Sequence, residues 1–172
     1  EDNRWTDGVS ASWSTSIVTT VDNVSDGPVC AVAATTDDRA RLVIRDGENL
    51  TAAREAFPNS MYFNQVWHVR TFMLDVDASS ISLVLHEDRE HAAVVDQGGK
   101  LWLVWNEGVL WNRTLIDAGP VTGEVEMAAV NGGVEIYTVI EDELLRWEML
   151  DDGFKRSVVT ENVDLSTAIG VE

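Results

Sequence analysis

Residues 99–117, GKLWLVWNEGVLWNRTLID, hold two short apolar runs, 101–105 and 110–116, joined by the turn Asn106-Glu107-Gly108. Glycine accepts a positive φ without steric cost, so an acid-Gly pair between two apolar runs signals a β-hairpin. Upstream, the runs 81–85 and 92–95 are separated by EDRE, and DQGG separates 92–95 from 101–105. Downstream the plan repeats, with apolar runs at 125–130, 134–140, 144–149 and 154–160 around the turns NGG, IEDE and DDG. Runs this short, each bounded by turn residues, are strands rather than helices. The unit is therefore four strands joined in series.

Aromatic markers set the period. Trp13, Trp67, Trp111 and Phe154 each open the same succession: an aromatic, a small polar or Arg-Thr pair, an apolar stretch, a polar linker and a new apolar strand. Their spacings are 54, 44 and 43 residues, so the first interval carries an insertion of about ten. A second marker, Trp5, Trp105 and Trp147, ends a strand just before the turns Asp7-Gly8, Glu107-Gly108 and Asp152-Gly153.

Four strands per 40 to 45 residues is the arithmetic of a β-propeller blade. Leu101, Gly108, Trp111 and Ile116 are similar to the L-x-x-x-x-x-x-G-x-x-W-x-x-x-x-I ending of neuraminidase-like and lectin-like propeller blades. The Ser-x-Asp-x-Gly-x-x-Trp box of sialidases and the Trp-Asp dipeptide of WD40 blades do not occur. The resemblance implies an all-β propeller segment of about three full four-stranded blades with partial blades at both termini. The expected division is a partial blade 1–22, blades 23–75, 76–120 and 121–162, and the first strand of a further blade at 163–172. A strand at 164–171 exposes two unpaired edges, and a closed ring needs four to eight blades. The expectation is that further blades or a partner chain complete the ring. Within the first blade, TAAREAF at 51–57 is helix-compatible and is followed by Pro58, which predicts a loop or short helix on the rim.

Composition bounds the function. Thirty Asp and Glu stand against twelve Lys and Arg, a formal net charge of −18, and Lys100 and Lys155 are the only lysines. Self-repulsion of that size becomes tolerable when salt shortens the Debye length to about 3 Å at 1 M. In this the chain resembles haloarchaeal proteins; an ordinary acidic protein is the alternative. No basic stripe is present, which argues against nucleic acid as a partner. No apolar run approaches the length of a membrane-spanning helix, and the opening EDNRWTDGVS has no signal-peptide pattern. Cys30, the only cysteine, lies in the apolar run PVCAVAA and reads as a small buried hydrophobe.

Candidate site residues fall into four groups. His86 and His91 flank a hairpin turn as His-Glu-Asp-Arg-Glu-His, which reads either as a solvated turn or as part of a Zn²⁺ site. His68 stands alone. The linkers entering each unit are acidic, at Asp22 and Asp26, Asp75 and Asp77, Asp117, and Glu161 with Asp164. Converging at one end of a propeller they would suit a divalent cation such as Ca²⁺; a halophilic surface explains the same residues without a site. Trp102 points opposite to Leu101 and Leu103 on an alternating strand, either to stack on a sugar or to be buried between blades. Asn23, Asn49 and Asn112 begin Asn-x-Ser/Thr sequons open to glycosylation after export. No nucleophile, phosphate loop or metal motif anchors an enzyme assignment. The leading expectation is a non-enzymatic recognition or assembly module on a halophilic cell surface or virus particle, with a protein partner or a glycan ligand. The alternative is a carbohydrate-active propeller enzyme whose catalytic residues lie partly in other blades.

Overall fold

The computed structural model describes residues 30–34, 40–55, 67–72, 75–108, 110–121, 123–151 and 153–161. Among them there are twelve strands and no helix. Sheet 1 is β1 (Cys30–Ala34), β2 (Ala40–Asp46), β3 (Asn49–Glu55) and β4 (Trp67–Phe72). Sheet 2 is β5 (Ala78–His86), β6 (Arg89–Asp96), β7 (Leu101–Glu107) and β8 (Leu110–Asp117). Sheet 3 is β9 (Val125–Val130), β10 (Gly133–Ile140), β11 (Glu143–Leu150) and β12 (Gly153–Thr160). Each is an open antiparallel meander in which strands are neighbours in chain order. The eight strands expected over 81–160 are thus present, with β5 beginning three residues early at Ala78. Trp5, Trp13 and the expected strand at 164–171 lie outside the described residues.

One expectation is corrected. Residues 51–55 of the helix-compatible run belong to β3, which pairs with β2 through Arg41↔Arg54 and with β4 through Leu50↔Phe72. Good helix formers are overridden here because alternation suits a sheet: Leu50 and Ala52 enter the cluster shared with sheet 2, while Thr51 and Ala53 are buried on the opposite face.

The sheets stack through their first strands, with β5 lying between β1 and β9. Two serines of β5 bridge to β9: the Val125 and Met127 amides donate to Ser80 Oγ (3.2 Å) and Ser82 Oγ (3.0 Å), and Ser82 Oγ donates to Glu126 (3.0 Å). Sheet 2 is consequently covered on both sides. Ala92, Val94 and Val104 pack with Val43, Leu50 and Phe72 of sheet 1. Ala93, Val95, Leu101 and Leu103 pack with Met127, Ile136, Leu145 and Trp147 of sheet 3. Ala92 to Val95 are buried without a break, the signature of a strand with no solvent face. A fully buried Leu or Ile such as Leu101 or Ile136 contributes about 1.5–3 kcal/mol.

Pairing register defines which positions of the sheets correspond, and it corrects the second aromatic marker. Trp111 pairs with Asn106 and Phe154 with Met149, one step in from their hairpin turns. Counting from those pairs, Trp147 matches Val104, and Trp105 matches Glu148. Trp105 lies six residues before Trp111 whereas Trp147 lies seven before Phe154, and a one-residue slip moves a side chain to the other face. Trp105 accordingly packs toward sheet 3, whereas Trp147 packs back toward sheet 2. Of the first marker, Trp111 and Phe154 occupy matched pairs; Trp111 also stacks on Phe72 at 4.2 Å and 3°, joining the outer strands of sheets 1 and 2.

The linkers into sheets 2 and 3 dock on the sheet before. The Val76 amide donates to the Glu48 carbonyl at 2.9 Å, and the Val121 amide to the Gly99 carbonyl at 2.7 Å. Both valines are buried, and both acceptors sit in the connection between a sheet's second and third strands. Gly99 and Gly119 face each other there at φ +77° and +88°, and a Cβ on Gly119 would stand 2.4 Å from the Gly99 oxygen. Gly119→Ala is therefore expected to lower unfolding stability by more than about 2 kcal/mol. Gly108→Ala, at φ +75° with nothing within 4 Å, is expected to cost about 1 kcal/mol. Denaturant titration of the two variants in molar salt checks the difference.

Candidate functional site

Strand alternation splits the hexapeptide from His86 to His91. Glu87 and Asp88, at φ 51° and 59°, make a tight turn that pairs His86 with Arg89 and Val84 with His91. The histidines then lie diagonally on the face toward sheet 3, with ring centroids 6.0 Å apart and planes at 65°. His91 is buried, stands opposite Trp105 on β7, and its Nδ1 lies 3.2 Å from the Arg89 carbonyl oxygen. Burial pushes its imidazole below the ordinary 6.5, opposed by that carbonyl and by the charge of Glu90.

Glu90 points the other way, to sheet 1, and is only 3% exposed. Its carboxylate is held by Arg54 at 2.5 Å and Arg41 at 3.4 Å. Arg41 and Arg54 are direct cross-strand partners on β2 and β3. Like charges set opposite each other repel, so the buried carboxylate between them satisfies both and locks sheet 2 onto sheet 1. Sequence reading missed this clasp because its members are far apart in the chain. The available signal was an acidic residue at the second position of β6, where the matching residue of β10 is Val134.

Asp75 and Asp77 lie at the opposite end of β5 from the histidines, roughly 27 Å away at about 3.4 Å per residue. The four candidates therefore do not converge. Among the described residues, no group of three or more His, Cys, Asp or Glu is placed to hold a metal ion. His68 lies on β4 and Cys30 begins β1. Asp22, Asn23, Asp26 and Asp164 lie outside the described residues.

At the linker end the described acids hold the fold. Asp96 accepts from the Gly98 and Lys100 amides at 2.8 and 2.9 Å, and from the Trp102 indole at 2.9 Å. Asp117 accepts from the Gly119 amide and lies 3.8 Å from Arg156. Asp77 is 4.0 Å from Arg45, whose buried guanidinium also donates to the Ala78 carbonyl. Glu161 is exposed at the end of sheet 3. Arg113 and Arg156, 43 residues apart on the outer strands, both reach back toward the chain that enters their own sheet, Arg113 to the Asp75 carbonyl and Arg156 to Asp117 at the end of β8. Arg70 stands a further 43 residues upstream, on β4.

Trp102 is partly buried against the cluster between sheets 1 and 2, with Arg113 5.0 Å over its ring. Its indole N–H and one ring face are already engaged. Of the sequons, Asn49 opens β3 with its Thr51 buried and hydrogen-bonded to Thr71 at 2.8 Å, while Asn112 is half-buried on β8. The chain matches no protein-family model and no curated protein sequence.

Two outcomes test these contacts. Glu90→Ala leaves two facing guanidinium groups without their carboxylate, and is expected to cost about 2–4 kcal/mol, discounted because Arg54 is about one-third open to solvent; chemical denaturation measures it. For His91, the unfolded chain takes a proton near 6.5 and the folded chain only at lower pH. The unfolded state thus binds more protons in that window, so stability falls as pH drops below 6.5. The melting temperature of wild type is expected to fall relative to that of His91→Leu from pH 8 to about pH 5.5.

Proposed function

We propose that the chain is a segment of a β-propeller that works by recognition and assembly rather than catalysis, on the surface of a cell or virus particle living in molar salt. The observation that carries this reading is the repeated mode of stacking. Each described sheet meets the next through its first strand, a docked linker and a polar or ionic bridge, and sheet 2 has both faces covered while sheet 3 keeps exposed residues on its far face. A blade with an open face is completed by another blade. The acids near the linkers already serve as acceptors for amides, an indole and guanidinium groups, which supports a structural role over a catalytic one.

The net charge of −18 supports the habitat. Screening that contracts from about 10 Å at 0.1 M to about 3 Å at 1 M relieves repulsion between surface carboxylates. The melting temperature is expected to rise steadily with KCl across that range, and a flat or falling curve would count against a halophilic setting. For assembly, light scattering of natively sourced material in molar salt is expected to give a mass well above that of the same polypeptide under denaturing conditions, with a second polypeptide identified by peptide sequencing. A monodisperse species at the mass of the single polypeptide would overturn the assembly reading.

A further inference from the structure

The hairpin between β9 and β10 closes on a turn of two residues, Asn131-Gly132, beneath the pair Val130↔Gly133. Asparagine followed by glycine is a reactive pair as well as a turn signal. The backbone nitrogen that follows an asparagine can attack the carbon of its side-chain amide. Three things hold that attack back in a folded chain: a side chain on the following residue, an amide tied into a hydrogen-bond ladder, and burial away from water and base.

None of the three applies at Asn131. Gly132 has no side chain, and even a Cβ placed on it would meet nothing within 4 Å. Both residues of the turn are exposed. The Gly132 amide stands outside the β9 and β10 pairing and has no backbone acceptor among the described residues. Of the nine asparagines in the chain, Asn131 alone precedes a glycine. The other described ones, Asn49, Asn106 and Asn112, lie in β3, β7 and β8 and precede Leu50, Glu107 and Arg113, which are strand residues with side chains.

We propose that Asn131 is a modification site of the folded chain, converted without an enzyme to aspartate and isoaspartate. The Gly132 nitrogen, its proton lost to base, bonds to Asn131 Cγ. The Cγ–Nδ2 bond breaks and ammonia leaves, which closes a five-membered succinimide. Water then opens the ring at either carbonyl. Opening at Cγ restores the main chain and leaves an aspartate; opening at the backbone carbonyl routes the main chain through Cγ and lengthens it by one methylene. One water is gained and one ammonia lost, with no oxidation or reduction.

Either route adds a negative charge at the tip of the hairpin. The second also lengthens a turn whose two residues set the register of β10 on β9. The change falls on the Val130↔Gly133 pair, where Gly133 is buried beside Met149. Further along β9 the Met127 amide is held by Ser82, which confines the disturbance to the tip. This site stands independently of the assembly reading.

The test incubates the folded full chain in molar salt at mildly alkaline pH and follows its tryptic peptides by mass spectrometry. Peptide 114–146 has Asn131 as its one asparagine, whereas 46–54 carries Asn49 and 101–113 carries Asn106 and Asn112. Peptide 114–146 is expected to gain about 1 Da at about ten times the rate of the other two or faster, and more quickly as pH rises. The product is expected to separate into two forms, one of them methylated by an isoaspartate methyltransferase. Asn131→Gln, whose attack needs a larger ring, is expected to abolish the gain while the native circular dichroism is retained. If peptide 114–146 ages no faster than the controls, or does so only after the chain is unfolded in guanidinium, the inference is overturned. A mass gain with no isoaspartate form overturns it too, because that is direct hydrolysis rather than attack by Gly132.

Discussion

A four-stranded sheet with apolar side chains on both faces cannot stand alone in water, and sheet 2 is such a sheet. Ala92 and Val94 face one way, Ala93 and Val95 the other, and all four are buried. Burying one face against sheet 1 leaves the other to be covered by sheet 3, and covering it moves the same requirement one sheet along. The demand for a neighbour on each side is what forces the repeat, and it explains why the polar contacts between sheets recur at matched positions.

Apolar area alone would let neighbouring sheets slide, because dispersion and hydrophobic burial have little directional preference. Directional groups fix the register. The β5 serines catch the amides of β9 that face away from β10, the linker valines donate to the turn of the preceding sheet, and the buried Glu90 joins two arginines that would otherwise repel. The surrounding chain is strongly acidic, so cations are scarce. Arg41, Arg45, Arg54, Arg113 and Arg156 all carry contacts between sheets or onto linkers, which puts the few positive charges where carboxylates and carbonyls must be brought together.

Strand content was legible in the sequence wherever short apolar runs met tight acidic or glycine turns, as from Ile81 to Thr160. It failed at 51–55, where Ala, Arg and Glu favour a helix in isolation but two hydrogen-bonding neighbours impose a strand. Aromatic spacing located the repeats but placed Trp105 and Trp147 in false correspondence, because Trp105 lies six residues before Trp111 and Trp147 seven before Phe154, and that one-residue difference puts the two rings on opposite faces of their sheets. The candidate site fared worse for a related reason. His86 and His91 are adjacent on paper to Glu90, but a period of two sends Glu90 to sheet 1 and His91 toward sheet 3. The partners of Glu90 lie 36 and 49 residues away, on strands with no local mark of the contact.

The central claim is that the sheets stack as one cooperative unit through their first strands, and amide hydrogen exchange in molar salt tests it most directly. Val121, Val125 and Met127 have amides whose partners come from sheet 2. In a cooperative stack they exchange as slowly as amides inside β6 and β10, since all open only when the whole unit does. Fast exchange at these three positions, with the strand interiors still protected, would mean that the sheets open independently and would contradict the account.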